Sequence, residues 1–451
     1  MEMVTTFDSS LPLLVKSLSK SLGKSALKGL VVVRDATGFL SAVLATDAVD
    51  KISVAERNLR AALGPYARTD TLLRGPDDIG AARLLEEAST LSTSKIQDVE
   101  LRLLDRRVVG LDWLRPPAPS TLGCPRLVFW SLKGGVGRTT ALCVTAAHLS
   151  RLGQRVLAVD FDLEAPGIGT MLLAAGEVPT FGTLDYLVES GISPLGDDFI
   201  SGMIGDSALG SKGARVAIIP AVGQRTLDNP QNALSKLSRA YIENVDEKGE
   251  SLTLSQQLSA LLDRIEKSNA FDVILVDARA GLHETAAAAL LGLGAEILLF
   301  GTDQPQTYLG YQLLFAYLAQ FDVDIDDDWR DRIHFVQAKA SGREDERRDA
   351  AQRFETLYEL VNPEEPPKAA FAGEDLSAED FTMIWADDEA NPAEVGFEAP
   401  PVIHIADDAR YRDFDTLKNA DLLEPEAYQL LFHPLLELVD SLAGLDRPEE
   451  N

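Results

Sequence analysis

From residue 126 onward, short apolar runs alternate with stretches of helical periodicity, and no other feature of the sequence limits the fold so strongly. Fully apolar runs of this length are typical of strands that are covered on both faces. Strands that alternate with helices favour a parallel sheet, because a crossover has to carry the chain back to the start of each new strand. We therefore predict an α/β fold, a doubly wound and mostly parallel sheet with flanking helices. The predicted strands are RLVFWSL, RVLAVDFD, RVAIIPA, FDVILVD, AEILLFGT, RIHFVQAK and PPVIHIA, and the predicted helices lie at about 139–152, 181–190, 252–268, 284–293, 306–321, 344–360 and 425–443.

Residues 1–115 have a different pattern, which predicts a separate, small N-terminal α+β domain. The run LKGLVVVRDATGFLSAVLA predicts two short strands around a turn at DATG, while VAERNLRAALGPYA and DDIGAARLLEEAST have helical spacing. The Pro-rich segment RPPAPSTLGCP predicts a linker, placed at 116–125, before the main domain at 126–451. An acidic, Pro-containing stretch at about 362–400 predicts an insertion in that domain.

Composition and charge exclude several classes of function. The chain has 71 acidic and 42 basic residues, for a net charge of −29, and such a field repels phosphate backbones. This argues against non-specific binding of nucleic acid. The two cysteines, Cys124 and Cys143, form neither a disulfide framework nor a metal-ligand spacing, which fits a reducing cytosol. No apolar run is long enough to span a bilayer. We therefore predict a cytoplasmic protein with no membrane segment.

The segment FWSLKGGVGRTTALCV joins a predicted strand to a predicted helix through a glycine-rich turn. Gly134, Gly135 and Gly137 allow the backbone to turn sharply and to bring its N–H groups close to phosphate oxygens. The helix that follows adds the positive end of its dipole. The hydroxyl of Thr139 can hold Mg²⁺, as the Ser or Thr of such loops does. We therefore predict a phosphate-binding loop, although Arg138 stands where these loops carry lysine.

The loop departs from the common pattern G-x-x-x-x-G-K-[ST] at two positions, Leu132 and Arg138, but it fits the variant K-G-G-x-G-K-[ST] with one mismatch. With this variant the chain resembles the ParA/MinD family of ATPases from about residue 126 to its end. RVLAVDFDLEAPG resembles the family's second strand and first switch, FDVILVDARAGL its Walker B strand and second switch, and GTDQPQTYLGYQLL the strand and helix that follow. The resemblance implies a P-loop NTPase fold with ATP and Mg²⁺ as cofactors.

The resemblance also implies a role for individual residues. Lys133 matches the signature lysine, which reaches the partner's phosphates across a nucleotide-sandwich dimer, and Asp162 matches the residue that positions the attacking water. These two are the predicted catalytic residues. Thr139 matches the magnesium ligand, Asp277 matches the Walker B aspartate that reaches Mg²⁺ through water, and Thr140 lies next to the α-phosphate. The nucleotide-binding set is Gly134, Gly135, Val136, Gly137, Arg138, Thr139 and Thr140.

Three departures from the family pattern bear on activity. Arg138 supplies positive charge, but its planar fork is longer than lysine and binds bidentately, so we expect nucleotide binding to persist and hydrolysis to be slow. Arg279, two residues after Asp277, either senses the γ-phosphate or forms a structural salt bridge. In VQAKA, Ala338 replaces the family's base-reading asparagine while Lys339 is retained, which leaves the choice between ATP and GTP open.

Two main functions remain open from the sequence. The first is an ATP-binding, slowly hydrolysing, nucleotide-switched homodimer that regulates or positions a partner protein, with the N-terminal domain as adaptor. The second is a non-catalytic nucleotide-binding scaffold of the same fold, in which ATP only holds two subunits together. A biosynthetic enzyme of this fold has no substrate motif to support it. The last predicted helix, EPEAYQLLFHPLLELVDSLAGL, is acidic, which argues against membrane docking.

Overall fold

The chain divides into two compact units, with the boundary between Val109 and Gly110. Each unit has its own sheet and its own buried core. Among the helices of the described residues, none combines the length and the apolar composition needed to cross a membrane. The computed structural model describes residues 5–46, 49–91, 93–174, 176–210, 214–245, 251–361, 399–412 and 414–445.

The first unit is built on a five-stranded mixed sheet in the order β3-β2-β1-β5-β4. Val32 faces the helices α1 and α2, whereas its neighbours Val31 and Val33 face α3, as the two-residue period of a strand requires. The predicted α+β fold of this N-terminal part is therefore confirmed. Its elements are α1 (Phe7–Leu22), β1 (Leu30–Arg34), β2 (Leu40–Val43), α2 (Val49–Leu63), β3 (Leu73–Arg74), α3 (Ala81–Ala88), β4 (Ser94–Ile96) and β5 (Val99–Asp105).

The second unit is an α/β fold in which strands and helices alternate along the chain. Its strands are β6 (Arg126–Ser131), β7 (Val156–Asp160), β8 (Gly205–Asp206), β9 (Val216–Ile219), β10 (Asn244–Val245), β11 (Ser251–Leu252), β12 (Val273–Asp277), β13 (Glu296–Gly301), β14 (Ile333–Ala340) and β15 (Ile403–Ala406). Its helices are α4 (Arg138–Arg151), α5 (Ile168–Leu172), α6 (Thr183–Ser190), α7 (Asp197–Ser201), α8 (Gln224–Leu227), α9 (Ala233–Ala240), α10 (Leu254–Glu266), α11 (Glu284–Leu291), α12 (Pro305–Leu318), α13 (Glu344–Tyr358) and α14 (Pro425–Leu442).

Eight strands of the second unit form one sheet in the order β15-β14-β13-β6-β12-β7-β9-β8. All neighbours in it pair in parallel except β8, which lies antiparallel to β9 at the edge. The first strand, β6, lies in the middle, and later strands add on both sides of it. The predicted doubly wound, mostly parallel sheet is therefore confirmed. In such sheets, ligands bind outside the carboxyl ends of the strands, where the strand order reverses.

Helices cover both faces of this sheet, which explains why its strands are apolar throughout. Along β6, Val128 and Trp130 belong to the core on one face, and Leu127 and Phe129 belong to the core on the other. All four side chains are completely buried. Because β6 is covered on both sides, the strand that leads to the glycine loop is held rigidly, and the loop begins from a fixed point.

The segment predicted as a linker at 116–125 is hydrogen bonded to the body of the second unit. The backbone N–H of Ala118 donates to the carbonyl of Leu291, and that of Thr121 donates to Gly294. The boundary at Val109 also lies a few residues before the predicted end of the first domain at 115. Of the predicted insertion at about 362–400, residues 362–398 lie outside the described residues.

Candidate functional site

The glycine-rich loop connects the carboxyl end of β6 to the first residue of α4. Gly135 and Gly137 have φ values of +74° and +95°, a region that glycine enters without steric cost. A Cβ atom built on either residue would meet no heavy atom within 4 Å. Glycine is therefore favoured at these positions by the backbone angles and not by a lack of space. The free N–H groups of the first turn of α4 point out of its N-terminus, which is a site suited to an anion.

The side chain of Arg138 is buried and lies among acceptors. Its Nε donates to Asp277 Oδ1 at 3.1 Å, and its Nη1 donates to the hydroxyl of Ser131 at 3.1 Å. Nη2 lies 3.7 Å from Asp162 Oδ2. Only 8% of Arg138 is exposed. The guanidinium therefore serves as counter-ion to two of the carboxylates that the sequence assigns to catalysis and metal binding.

Thr139 and Asp277 lie side by side at the carboxyl edge of the sheet. The Thr139 hydroxyl donates to Asp277 Oδ2 at 2.9 Å, so the two predicted magnesium ligands are already adjacent. Among the described residues, no group of three or more His, Cys, Asp or Glu side chains is arranged to hold a metal ion by itself. Mg²⁺ usually keeps several waters and uses one or two protein oxygens together with substrate phosphates. The pair fits such a partial site.

The segment that follows β7 is tied down by Asp160. Its Oδ1 accepts the backbone N–H of Asp162 and its Oδ2 accepts that of Gly167, each at 3.0 Å. Asp162 in turn accepts the N–H of Ala165 at 3.1 Å. A Cβ atom built on Gly167 would lie 3.6 Å from Thr139 Cγ2, so this segment closes directly against the loop. These bonds hold Asp162 beside the site.

Burial raises the pKa of two carboxyl groups in the site. Asp160 is completely buried, and this burial, followed by the nearby charge of Asp277, raises its pKa well above the usual range. Burial also raises the pKa of Asp277, although Arg138 and the Thr139 hydroxyl act in the opposite direction. Burial and the closeness of the two carboxyl groups therefore make ionisation of both unfavourable unless a cation lies nearby. Such a site favours a bound cation.

Arg279 forms a salt bridge with Glu164. Glu164 also accepts a hydrogen bond from the hydroxyl of Tyr241 at 3.0 Å. Hydrogen bonding to Arg279 is the main cause that lowers the pKa of Glu164. Of the two roles that the sequence left open for Arg279, a phosphate sensor or a salt-bridge partner, this geometry corresponds to the second.

A pocket of about 430 Å³ opens beside the glycine loop. This volume lies within the usual range for small-molecule sites. Ala338 and Lys339, at the end of β14, form part of its wall, and the Lys339 ammonium donates to the carbonyl of Gly135 at 2.8 Å. The segment after β15 forms another part of the wall. Its lining residues there are Asp407, Asp408, Tyr411 and Arg412.

The structure places the other predicted loop residues as follows. Lys133 is exposed, and its backbone carbonyl accepts a hydrogen bond from the Ser131 hydroxyl at 2.9 Å. Val136 is buried in the core, whereas Thr140 lines the pocket. Leu132, which replaces a glycine of the common pattern, packs on α12 at Gly310, where an added Cβ would lie 2.6 Å from the leucine Cδ1.

Sequence reasoning did not identify Ser131, Glu164 or the residues after β15 as parts of this site. Ser131 is the last residue of a fully buried strand, and a polar side chain in that position is a signal that could have been used. Asp407 and Arg412 form an ion pair with 2.5 Å between Oδ2 and Nη2, but no motif includes them, and the sequence gives no indication that they line the pocket beside the loop.

The loop and the sheet together define a class of protein. A glycine-rich turn joins the central strand β6 to α4, Asp277 ends the adjacent strand β12, and Asp162 follows β7 at the same edge of the sheet. This arrangement is a P-loop NTPase fold.

Within that class, the chain resembles solved ParA/MinD-type ATPases. It is similar to a ParA family ATPase from Chlorobium tepidum TLS (16% identity, TM-score 0.44, covering 70% of this chain and 98% of that one). It is also similar to the cell division ATPase MinD from Pyrococcus furiosus (20% identity, TM-score 0.40, covering 70% of this chain and 99% of that one). A third similar structure is an ATP complex of McdA from Cyanothece (16% identity, TM-score 0.43, covering 73% of this chain and 99% of that one). No protein-family model and no curated protein matches the sequence. At these identities and scores the likeness is one of fold, and function has to be inferred from the site residues.

Proposed function

We propose that this protein binds ATP with Mg²⁺ at the glycine loop, hydrolyses it slowly, and uses the bound nucleotide to control a homodimer that regulates or positions a partner protein. The partner binds through the first unit, and the protein works in the cytoplasm.

One observation carries the proposal. Thr139, Asp277, Arg138 and Asp162 form a single contact network beside an open pocket, at the N-terminus of α4. A strand-end aspartate by itself is often only a cap for a neighbouring helix or turn. A hydroxyl, two carboxylates and a guanidinium gathered at one glycine loop match the groups that phosphoryl transfer requires.

Each residue has a distinct task in this proposal. Mg²⁺ would be held by Thr139 directly and by Asp277 through water, and when bound it neutralises charge on the phosphate oxygens. The loop amides and the start of α4 bind the phosphates. Asp162, held in place by the hydrogen bonds of Asp160, accepts a proton from the attacking water or orients it. Burial of this network excludes bulk water from competing.

The engagement of Arg138 supports slow hydrolysis. In this structure its charge is shared by Asp277 and Asp162, so phosphate oxygens have to compete with two carboxylates for it. Positive charge on the transferred phosphoryl group is the main catalytic requirement of this reaction. The same observation favours the alternative function, a scaffold that binds nucleotide without turnover, and the rate of hydrolysis decides between the two.

The pocket beside the loop supports a nucleotide base as the second part of the ligand. Ala338 offers no polar side-chain atom there, so recognition of the base would fall to backbone groups and to Asp407 and Arg412. This is compatible with either purine, and ATP is proposed from the resemblance to ATPases. Competition of GTP against a labelled ATP analogue measures the preference directly.

A nucleotide-switched dimer is proposed from Lys133. Its side chain is exposed, whereas the side chain of Arg138 is buried and hydrogen bonded to Asp277. An exposed lysine in a phosphate loop is available to a second copy of the loop, as the resemblance implies. Light scattering with a slowly hydrolysed ATP analogue should show a larger dimer fraction than with ADP.

Two measurements test the proposal. Calorimetry should detect Mg²⁺-dependent ATP binding, and a phosphate-release assay should detect slow turnover that Asp162→Ala abolishes. Asp198→Ala, which changes an exposed aspartate on α7, is the control and should leave turnover unchanged. Binding without turnover, equal in wild type and Asp162→Ala, would establish the scaffold instead. Absence of binding would refute both functions.

A further inference from the structure

The carboxylate of Glu164 is contacted by three groups that come from two other segments of the second unit. Arg279 forms a salt bridge with its Oε1, the Tyr241 hydroxyl donates to the same oxygen at 3.0 Å, and Nε2 of His283 lies 3.5 Å from it. The rings of Tyr241 and His283 also meet edge to face, with their centroids 5.3 Å apart. One oxygen atom thus joins three chain segments.

Two of these segments carry the aspartates of the site. Glu164 follows Asp162 by two residues, and Arg279 follows Asp277 by two residues. Phe161 and Asp277 are already bonded through their backbones, since the N–H of Phe161 donates to the carbonyl of Asp277 at 2.9 Å. The segment after β7 and the segment after β12 are therefore linked twice, by this backbone hydrogen bond next to the strands and by the Glu164–Arg279 salt bridge farther along both segments. Asp162 lies between these two links.

We propose that Glu164 and Arg279 are positioning residues for hydrolysis. Their salt bridge fixes the segment after β7 against the segment after β12 and thereby aims the Asp162 carboxylate. The inference rests on the proposed function, because it assigns a role in that same reaction. Neither residue contacts the nucleotide in this role, so loss of the salt bridge reduces turnover and leaves nucleotide affinity nearly intact.

The geometry supports a positioning role more than a contribution to general stability. The side chains of Glu164 and Arg279 are 31% and 24% exposed, and a partly exposed salt bridge contributes little to folding. A displacement of about 1 Å in a catalytic group can reduce a rate by on the order of a hundredfold. Control of position is therefore the larger effect that this salt bridge can have.

The test uses Glu164→Gln, which keeps the shape of the side chain and removes its charge, together with Arg279→Gln and the double variant. We expect each single variant to lower kcat by roughly 10- to 100-fold and to change the Kd for Mg·ATP by less than about threefold. The double variant should be no slower than the slower single variant, because two members of one contact are not additive. Glu177→Gln, at an exposed glutamate, should have no effect.

A second measurement does not depend on turnover. With a slowly hydrolysed ATP analogue bound, Glu164→Gln should speed amide hydrogen exchange in residues 278–283, on the far side of the salt bridge. Unchanged kcat and unchanged exchange in Glu164→Gln overturn the inference, and so do additive losses in the double variant. Failure of the wild type to bind Mg·ATP is a different result: it overturns the proposed function, while the exchange of residues 278–283 in the unliganded variant still tests the salt bridge.

Discussion

Replacement of Arg138 by methionine should destabilise the second unit strongly in the absence of any ligand. Methionine fills much of the space of the arginine stem and carries no charge. The change leaves Asp277, which is 1% exposed, without its nearest cation, and it removes the donor to the Ser131 hydroxyl. Asp162, 3.7 Å from the same guanidinium, also loses a partner.

The expected loss follows from these contacts. Removal of one member of a buried ion pair typically costs about 3–5 kcal/mol, because the other charge remains buried and uncompensated. Arg138→Lys retains the charge and should cost about 1 kcal/mol, which is the net value of one lost hydrogen bond. When Asp277→Asn is combined with Arg138→Met, a large part of the lost free energy of unfolding should be recovered, because the buried charge of Asp277 is then absent.

Urea unfolding at neutral pH, followed by tryptophan fluorescence, measures this loss. Trp113, Trp130 and Trp329 lie in the second unit, so their fluorescence reports on the unfolding of that unit. The control is Arg151→Met at the other end of α4. The Arg151 side chain is 40% exposed and pairs with an exposed glutamate, so this variant should lose less than about 1 kcal/mol.

A loss in Arg138→Met no larger than the loss in Arg151→Met would refute the reasoning. It would mean that the guanidinium does not compensate the buried carboxylates in the unliganded protein. Additive losses in Arg138→Met and Asp277→Asn would refute the pairing specifically, because residues that interact directly show coupling in a double-mutant cycle.

Three further predictions concern the loop and its support. Thr139→Ala should weaken Mg·ATP binding about tenfold or more in calorimetry, because it removes a metal ligand that contacts Asp277, and equal affinity would exclude Thr139 from the site. Lys133→Ala should bind nucleotide but lose ATP-dependent dimerisation in light scattering, and normal dimerisation would indicate a different assembly. Gly294→Ala should destabilise the second unit by roughly 2 kcal/mol or more in urea unfolding. The reason is that φ is +56° at this residue and that the new Cβ would lie 2.1 Å from the carbonyl oxygen of Pro119. A neutral effect would show that the close packing of the 116–125 segment on Gly294 is not needed for stability.

The sequence predicts the strands of the large sheet well because each of them is covered on both faces. The apolar runs that predict β6, β12 and β13 reflect this burial directly. The edge strand β8 has only two residues, Gly205 and Asp206, and no apolar run marks it. Helix α1 was also missed, although Leu14, Val15 and Leu18 are buried on one face of it.

The site is predictable only where its residues are close in the chain or lie in a motif. The loop residues and Asp277 follow from the motifs. The salt bridge between Arg138 and Asp277 depends on β12 lying beside β6, and the strand order is not encoded in any local pattern. The contacts of Glu164 join residues from 164 to 283 and depend on three loops at once. Periodicity carries information about burial, and it carries none about which loops meet.

Lys339 has a backbone conformation that few lysines adopt. Its φ is +54°, at an irregularity of register between Ala338 and Ala340. A residue of this kind in the left-handed region stores roughly 1–3 kcal/mol of strain. The strain lets the ammonium reach the carbonyl of Gly135, so that part of the conformational entropy of the glycine turn is lost during folding and not during ligand capture. A glycine at this position would relieve the backbone strain but would remove the bond to Gly135, so that more of the ordering of the loop would have to occur when the ligand binds.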